Sequence, residues 1–129
     1  MQDVSLKGLR VLILEDEILI ALDLEQVCRD FGADEVIVAR SLDEIAAEGP
    51  AGAAFDVAVL DLMLGGRSTI DFASDLFAKG IPFVFATSYG DAEQLLAHLP
   101  DVQIVDKPFS SEALVGAILK AMELRSSIA

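Results

Sequence analysis

Four short apolar runs in this sequence each end in a side chain that could do chemistry. Val11–Leu14 runs out into Glu15 and Asp16, Val57–Leu60 into Asp61, Phe83–Ala86 into Thr87, and Val102–Val105 into Asp106, Lys107 and Pro108. Three carboxylates brought together repel, and the usual remedies are protonation or a cation. A hard divalent ion with oxygen ligands suits the set, since Mg2+ takes one or two carboxylates together with waters and phosphate oxygens. Lys107 neutralises further charge, and Thr87 offers a hydroxyl donor. This inventory fits phosphoryl transfer to a carboxylate, in which Asp serves as a covalent nucleophile and cations take up charge on the phosphoryl oxygens. Asp61 is the candidate nucleophile because it is the lone acid after its run; Glu15 and Asp16, being adjacent, suit metal holding. Each residue also has a plainer reading: Asp16 as the N-cap of the next helix, Asp61 as a turn acid before Leu62–Gly66, Lys107 as a solvated lysine before Pro108, Thr87 as an ordinary strand-end residue. Four plain explanations coinciding on four run ends weigh less than one site.

The elements that position these residues are read from the same runs. None alternates as a strand with one wet face would, so they read as strands covered on both sides, as in parallel sheets. Glu35–Ala39 is a fifth and weaker strand candidate. Between them lie helix-length segments: Glu17–Phe31, Ser41–Glu48, Ser68–Lys79, Asp91–Leu99 and Ser110–Arg125. Gly32 and Gly80 suit helix C-termini, and Ser41 with Glu44 forms a capping box. Ile20, Leu24, Val27 and Phe31 make an inward stripe with Cys28 at its edge, and Asp23, Gln26 and Asp30 lie on the wet side. The order βαβαβαβαβα predicts an α/β doubly wound sheet of five parallel strands in the flavodoxin-like order 2-1-3-4-5, with helices on both faces. Ligands of such sheets bind beyond the carboxyl ends of the strands, at the switch point between strands 1 and 3. The polar run ends all fall there.

Length and composition bound the rest. At roughly 150 residues per domain, 129 residues make a single domain, 1–129, with its core at about 9–125. The hydrophobic fraction of 53% excludes a disordered chain. Nine basic against 22 acidic residues give a net charge of −13, and the basic residues are scattered, so the sequence argues against nucleic-acid and anionic-membrane partners. Cys28 alone excludes an intramolecular disulfide and fits a reducing compartment. The apolar runs are far shorter than the ~20 residues of a membrane span, and Glu15–Glu17 cuts the first run too short for a signal peptide. The cytoplasm is the expected location. His98 has no second His or Cys nearby and reads as a surface helix residue.

Together, Leu14-Glu15-Asp16-Glu17, Asp61 with Gly65 four residues on, Thr87, and Lys107-Pro108-Phe109 resemble the receiver domain of two-component response regulators over about Leu9–Arg125. The resemblance implies that Asp61 accepts phosphate from a phosphohistidine. It further implies that Glu15, Asp16 and Asp61 hold Mg2+ with the backbone carbonyl of Met63, and that Thr87 and Lys107 bind the phosphoryl oxygens. The chain departs from the pattern at Ile104, three places before the lysine, where receivers commonly carry an aromatic switch residue. Instead Phe85-Ala86-Thr87-Ser88-Tyr89 looks like the Phe-Ala-Thr-Gly-Tyr subfamily of alphaproteobacterial receivers, with Ser88 in place of Gly. Tyr89 is therefore the candidate switch residue, a packing aromatic being its other reading.

In receivers the start of the first helix docks the histidine donor, which makes Ile18, Leu19 and Leu22, with Pro108 and Phe109, candidate partner contacts. The segment Asp91–Leu99, with Leu95, Leu96 and Leu99 as its inner face, is the candidate element that phosphorylation orders. The expected function is a stand-alone phosphorelay switch rather than an enzyme acting on external substrates. Its expected partners are a sensor histidine kinase or histidine phosphotransfer protein and a separate output protein, with homodimerisation on phosphorylation a further option. The alternatives are a Mg2+-dependent phosphohydrolase, although Met63 stands where such enzymes want a second acid, and a pseudo-receiver binding module.

Overall fold

The structure is a computed structural model in which residues 5–44, 55–87, 97, 102–107 and 109–128 are described, with side chains described to residue 124. Five parallel strands form one sheet: β1 (Arg10–Leu14), β2 (Glu35–Ala39), β3 (Val57–Leu60), β6 (Phe83–Thr87) and β7 (Gln103–Asp106), in the order β2-β1-β3-β6-β7. Two-residue strands β4 (Met63–Leu64) and β5 (Arg67–Ser68) form a separate antiparallel hairpin. Since β6 and β7 are the fourth and fifth strands of the main sheet, this is the flavodoxin-like 2-1-3-4-5 order expected from the sequence. The bounds of β2 and β3 are those read from the sequence.

The strands lack alternation because both faces are covered. Successive side chains of β1 point to opposite sides: Val11 and Ile13 enter one core with Val57, Val59, Val84 and Val105, while Leu12 and Leu14 enter another with Ala58, Leu60, Phe83 and Phe85. Helices α1 (Ile18–Asp30) and α3 (Ser111–Ile128) supply the first core with Leu24, Val27, Cys28, Leu114, Val115 and Ile118. Helix α2 (Ile70–Lys79) supplies the second with Ala73 and Leu76. Phe83 and Phe85 meet edge to face, with ring centroids 5.9 Å apart, the arrangement that aromatic quadrupoles favour.

Three local expectations change. The inward face of α1 is Ala21, Leu24, Val27 and Cys28; Ile20 and Phe31 are only partly buried at its margin. The helix expected from Ser68 begins at Ile70, because the chain first turns back through the hairpin. Gly65 and Gly66 make that turn with φ of 60° and 81°, the positive values that two-residue hairpin loops need. Ser41 Oγ accepts the Glu44 amide at 3.2 Å as in a capping box, but the Glu44 carboxylate takes the amide of Arg40, at 3.1 Å, in place of that of Ser41. Gly80 ends α2 in the left-handed conformation, as expected of a helix-terminal glycine. The helical stretch expected at Ser41–Glu48 is described only at 41–44, and that at Asp91–Leu99 only at Ala97; both otherwise lie outside the described residues, as do Leu95, Leu96, His98 and Leu99.

Cys28 is fully buried, and burial followed by the charge of Glu25 pushes its thiol up to about 12. A thiol reagent is thus expected to reach it through opened molecules. Leu24 lies one turn before Cys28 on the same face, and Leu24→Ala should lower the urea-unfolding free energy by about 3 kcal/mol. Cys28 labelling under native conditions should then accelerate roughly a hundredfold; an unchanged rate would mean that the thiol is reached by a local route.

Candidate functional site at the carboxyl ends of the strands

Three of the charged groups of the site, Glu15, Asp61 and Lys107, are each fixed by one main-chain hydrogen bond just past the strand ends. The Glu15 amide donates to the Ala39 carbonyl at the end of β2 (3.1 Å), that of Asp61 to the Leu14 carbonyl at the end of β1 (3.0 Å), and that of Lys107 to the Thr87 carbonyl at the end of β6 (2.9 Å). The side chains therefore leave the sheet from a common edge, with their main chains already paired. The Glu15, Asp16 and Asp61 carboxylates each bring an oxygen within 4.8 Å of the others.

Lys107 reaches into this group. Its Nζ donates to Glu15 Oε1 at 2.8 Å and stands 3.5 Å from Asp61 Oδ2. The lysine side chain is 13% exposed, Asp61 16% and Glu15 1%, so the solvated-lysine reading falls. Burial pushes the Glu15 carboxyl above the ordinary glutamate value, against the pull of Lys107 and of the Glu17 amide, which donates to Oε2 at 3.2 Å. Burial alone would depress the Lys107 ammonium, but its contacts with Glu15 and Asp61 outweigh that and hold it above its usual value.

Asp16 does not cap α1. The N-cap is Glu17, with no side-chain cap bond. Asp16 Oδ2 instead accepts the Gly65 amide from the hairpin turn at 2.9 Å, and its carbonyl receives the Arg40 guanidinium at 3.3 Å. The hairpin missed in the sequence is therefore tied to one of the candidate metal ligands. Its Met63 is exposed and pairs with Ser68. Thr87 is fully buried at the end of β6, in register with Asp106.

Thr69 was also missed. Fully buried, it donates its hydroxyl to the Asp61 carbonyl at 2.6 Å, with the Leu62 carbonyl at 3.2 Å. Nothing in its spacing marks it in the sequence, since the partner is main chain. Ile18, Leu19 and Leu22 project from the first turns of α1 with 54%, 78% and 54% exposure, as expected of an uncovered apolar surface. Phe109 packs partly against the first core. Tyr89 and Pro108 lie outside the described residues. Ile104, the departure from the receiver pattern, is a half-buried aliphatic against the second core.

Chemically, a set of hard oxygen donors with surplus negative charge fits a small divalent cation. Among the described residues no helix is long and apolar enough to cross a membrane.

No family model matches the chain. It is 29% identical over 120 residues to the phyllosphere-induced regulator PhyR of Methylorubrum extorquens, a match covering 91% of this chain and 45% of that protein. Among solved structures, a variant of the anti-anti-sigma factor PhyR from Bartonella quintana superposes with a TM-score of 0.79 at 29% identity, over 97% of this chain and 53% of that one. A response regulator receiver protein from Sinorhizobium medicae gives 0.77 at 26% identity, over 94% and 99%. The chain therefore spans about half the length of the PhyR proteins and nearly the whole of the receiver protein.

Removing one charge from the cluster separates repulsion from ligation. Without divalent cations, Asp16→Asn is expected to raise the unfolding free energy by about 1 kcal/mol through relief of like-charge crowding. Mg2+ at a hundred times its dissociation constant should stabilise the unsubstituted chain by about 2.7 kcal/mol and the variant by less than half as much. Equal gains in urea titrations would remove Asp16 from the metal site.

Proposed function

We propose that this chain, whose fold is that of response-regulator receiver domains, is a phosphoacceptor switch in a phosphorelay. The observation that carries the reading is the meeting of Glu15, Asp16, Asp61 and Lys107 at one sheet edge. In this reading Asp61 takes a phosphoryl group from a phosphohistidine on a sensor kinase or a histidine phosphotransfer protein. One Asp61 carboxylate oxygen forms a bond to phosphorus as the phosphorus–nitrogen bond of the donor breaks. The electron pair leaves with the histidine nitrogen, which takes up a proton.

The chain's own groups position this exchange. Glu15 and Asp16, with Asp61 and the Met63 carbonyl, would hold Mg2+, which when bound supplies positive charge to the phosphoryl oxygens. Lys107 already stands beside Asp61 and carries a fixed positive charge for the product. Thr87, at the neighbouring strand end, is the hydroxyl donor for a second phosphoryl oxygen. Ile18, Leu19 and Leu22 form the apolar surface on which the donor protein docks, and Pro108 and Phe109 are further candidate contacts. Phosphate between Thr87 and Lys107 favours one arrangement of the Tyr89 segment, and the signal passes on as a change in protein contacts. The similarity to PhyR supports a role in signalling through partner proteins.

Acetyl phosphate with Mg2+ should add one phosphoryl group per chain, detected by intact-mass spectrometry, and Asp61→Asn should abolish it. Labelling that survives the substitution would reassign the acceptor, and repeated turnover of a chromogenic phosphate ester would favour a phosphohydrolase instead.

For the switch, Tyr89→Ala should leave phosphorylation intact while at least halving the partner difference between beryllofluoride-treated and untreated protein in a pull-down. An unaltered difference would place the signal on another residue.

A further inference from the structure

Thr69 breaks a local rule of helix architecture, and the break points at Asp61. It is the N-cap residue of α2, with φ −98° and ψ 9°, yet its side chain makes no cap hydrogen bond. A threonine at this position ordinarily turns its oxygen to an amide in the first turn of the helix. Here the neighbouring Ser68 Oγ accepts the Ile70 amide at 3.1 Å, and the Thr69 hydroxyl points away from the helix, donating to the Asp61 carbonyl at 2.6 Å. The Thr69 amide adds a bond to the Leu62 carbonyl at 2.8 Å, and the Ala73 amide returns to the Thr69 carbonyl at 2.9 Å. Among the described residues the buried polar or charged side chains are Glu15, Thr87 and Thr69. The first two already belong to the site.

The consequence falls on the acceptor's main chain. Asp61 lies one residue past the end of β3. Its amide is held by the Leu14 carbonyl at 3.0 Å and its carbonyl by Thr69. With both main-chain groups anchored, the Cα–Cβ direction is set, and only side-chain torsions remain to aim the carboxylate. We propose that Thr69 is a positioning residue for the acceptor: its hydroxyl fixes the Asp61 backbone so that the carboxylate lies in register with Glu15, Asp16 and Lys107. This rests on the phosphoacceptor reading. A misplacement on the order of 1 Å at a reacting group can cost ~100-fold in rate, so a single main-chain hydrogen bond in this place has leverage beyond its effect on stability.

The test uses the whole chain with two readouts, the rate of Asp61 phosphorylation by acetyl phosphate and the Mg2+ dissociation constant from amide chemical-shift titration. Thr69→Val keeps the shape and removes the donor; it should slow phosphorylation roughly tenfold to a hundredfold and weaken Mg2+ binding severalfold. Thr69→Ser restores the hydroxyl and should return both to near the unsubstituted values. If the valine variant does not fold, Thr69→Ala makes the same deletion with less bulk. Ser68→Ala is the control for a merely structural role, since it removes the side chain that accepts the Ile70 amide and should lower stability while leaving both readouts unchanged. Equal rates and affinities for Thr69→Val and the unsubstituted chain would overturn the inference and leave the phosphoacceptor reading standing. Failure of the unsubstituted chain to be labelled or to bind Mg2+ would overturn both.

Discussion

Like charges held close together need a framework that resists their separation. Glu15, Asp16 and Asp61 bring oxygens within 4.8 Å of one another, and Lys107 offsets only part of that charge through its contacts at 2.8 and 3.5 Å. A flexible edge would relax by letting the carboxylates drift into water, where each would be better solvated. The sheet forestalls this by extending its ladder one rung past the strand ends at Glu15, Asp61 and Lys107. The hairpin does the same for Asp16 from the opposite direction, through the Gly65 amide. The tension at the site is thus borne by main-chain hydrogen bonds rooted in two apolar cores.

Those cores explain why the framework is stiff enough. Every residue of β3 is buried, as is every residue of β6, and their side chains divide between the two faces. Displacing the Asp61 end of β3 would disturb Ala58 and Leu60 on one side and Val57 and Val59 on the other. Close-packed interiors respond to such shifts by losing contacts rather than by flowing. The edge strand β2 is less covered, with Glu35 exposed and Ile37 and Val38 half-buried, and it carries no acid of the site.

The parts of this arrangement that the sequence displays are those encoded by residue type. Unbroken apolar runs announce strands covered on both faces, which is why β3 could be bounded to the residue, and the acids and the lysine stand visibly at their ends. What the sequence conceals is encoded by main-chain geometry. Strands of two residues are too short to show a period, so Ser68 reads as the polar start of a helix. Asp16 looks like a cap because caps are made of aspartates; that its partner is an amide 49 residues away depends on the closing of the sheet. The inward face of α1 shifted for a related reason. Small Ala21 and Cys28 fit the close approach to the sheet, leaving bulkier Ile20 and Phe31 at the margin.

Access then distinguishes acids that the sequence treats as equals. Glu15 is 1% exposed, with one oxygen on Lys107 and the other on the Glu17 amide. A nucleophile in that position would have to surrender both contacts before meeting a donor. Asp61 is 16% exposed and stands at 3.5 Å from the same lysine, near enough for its charge to be felt and far enough for the carboxylate to turn. Asp16 is tied to the hairpin turn through Oδ2, which suits a fixed ligand better than a group that must form a bond to phosphorus. Under the proposed reading, then, the acceptor role falls to Asp61 for a second reason, independent of its place after the central strand. Glu15 has the burial, Asp16 has the tether, and Asp61 combines exposure with an anchored main chain.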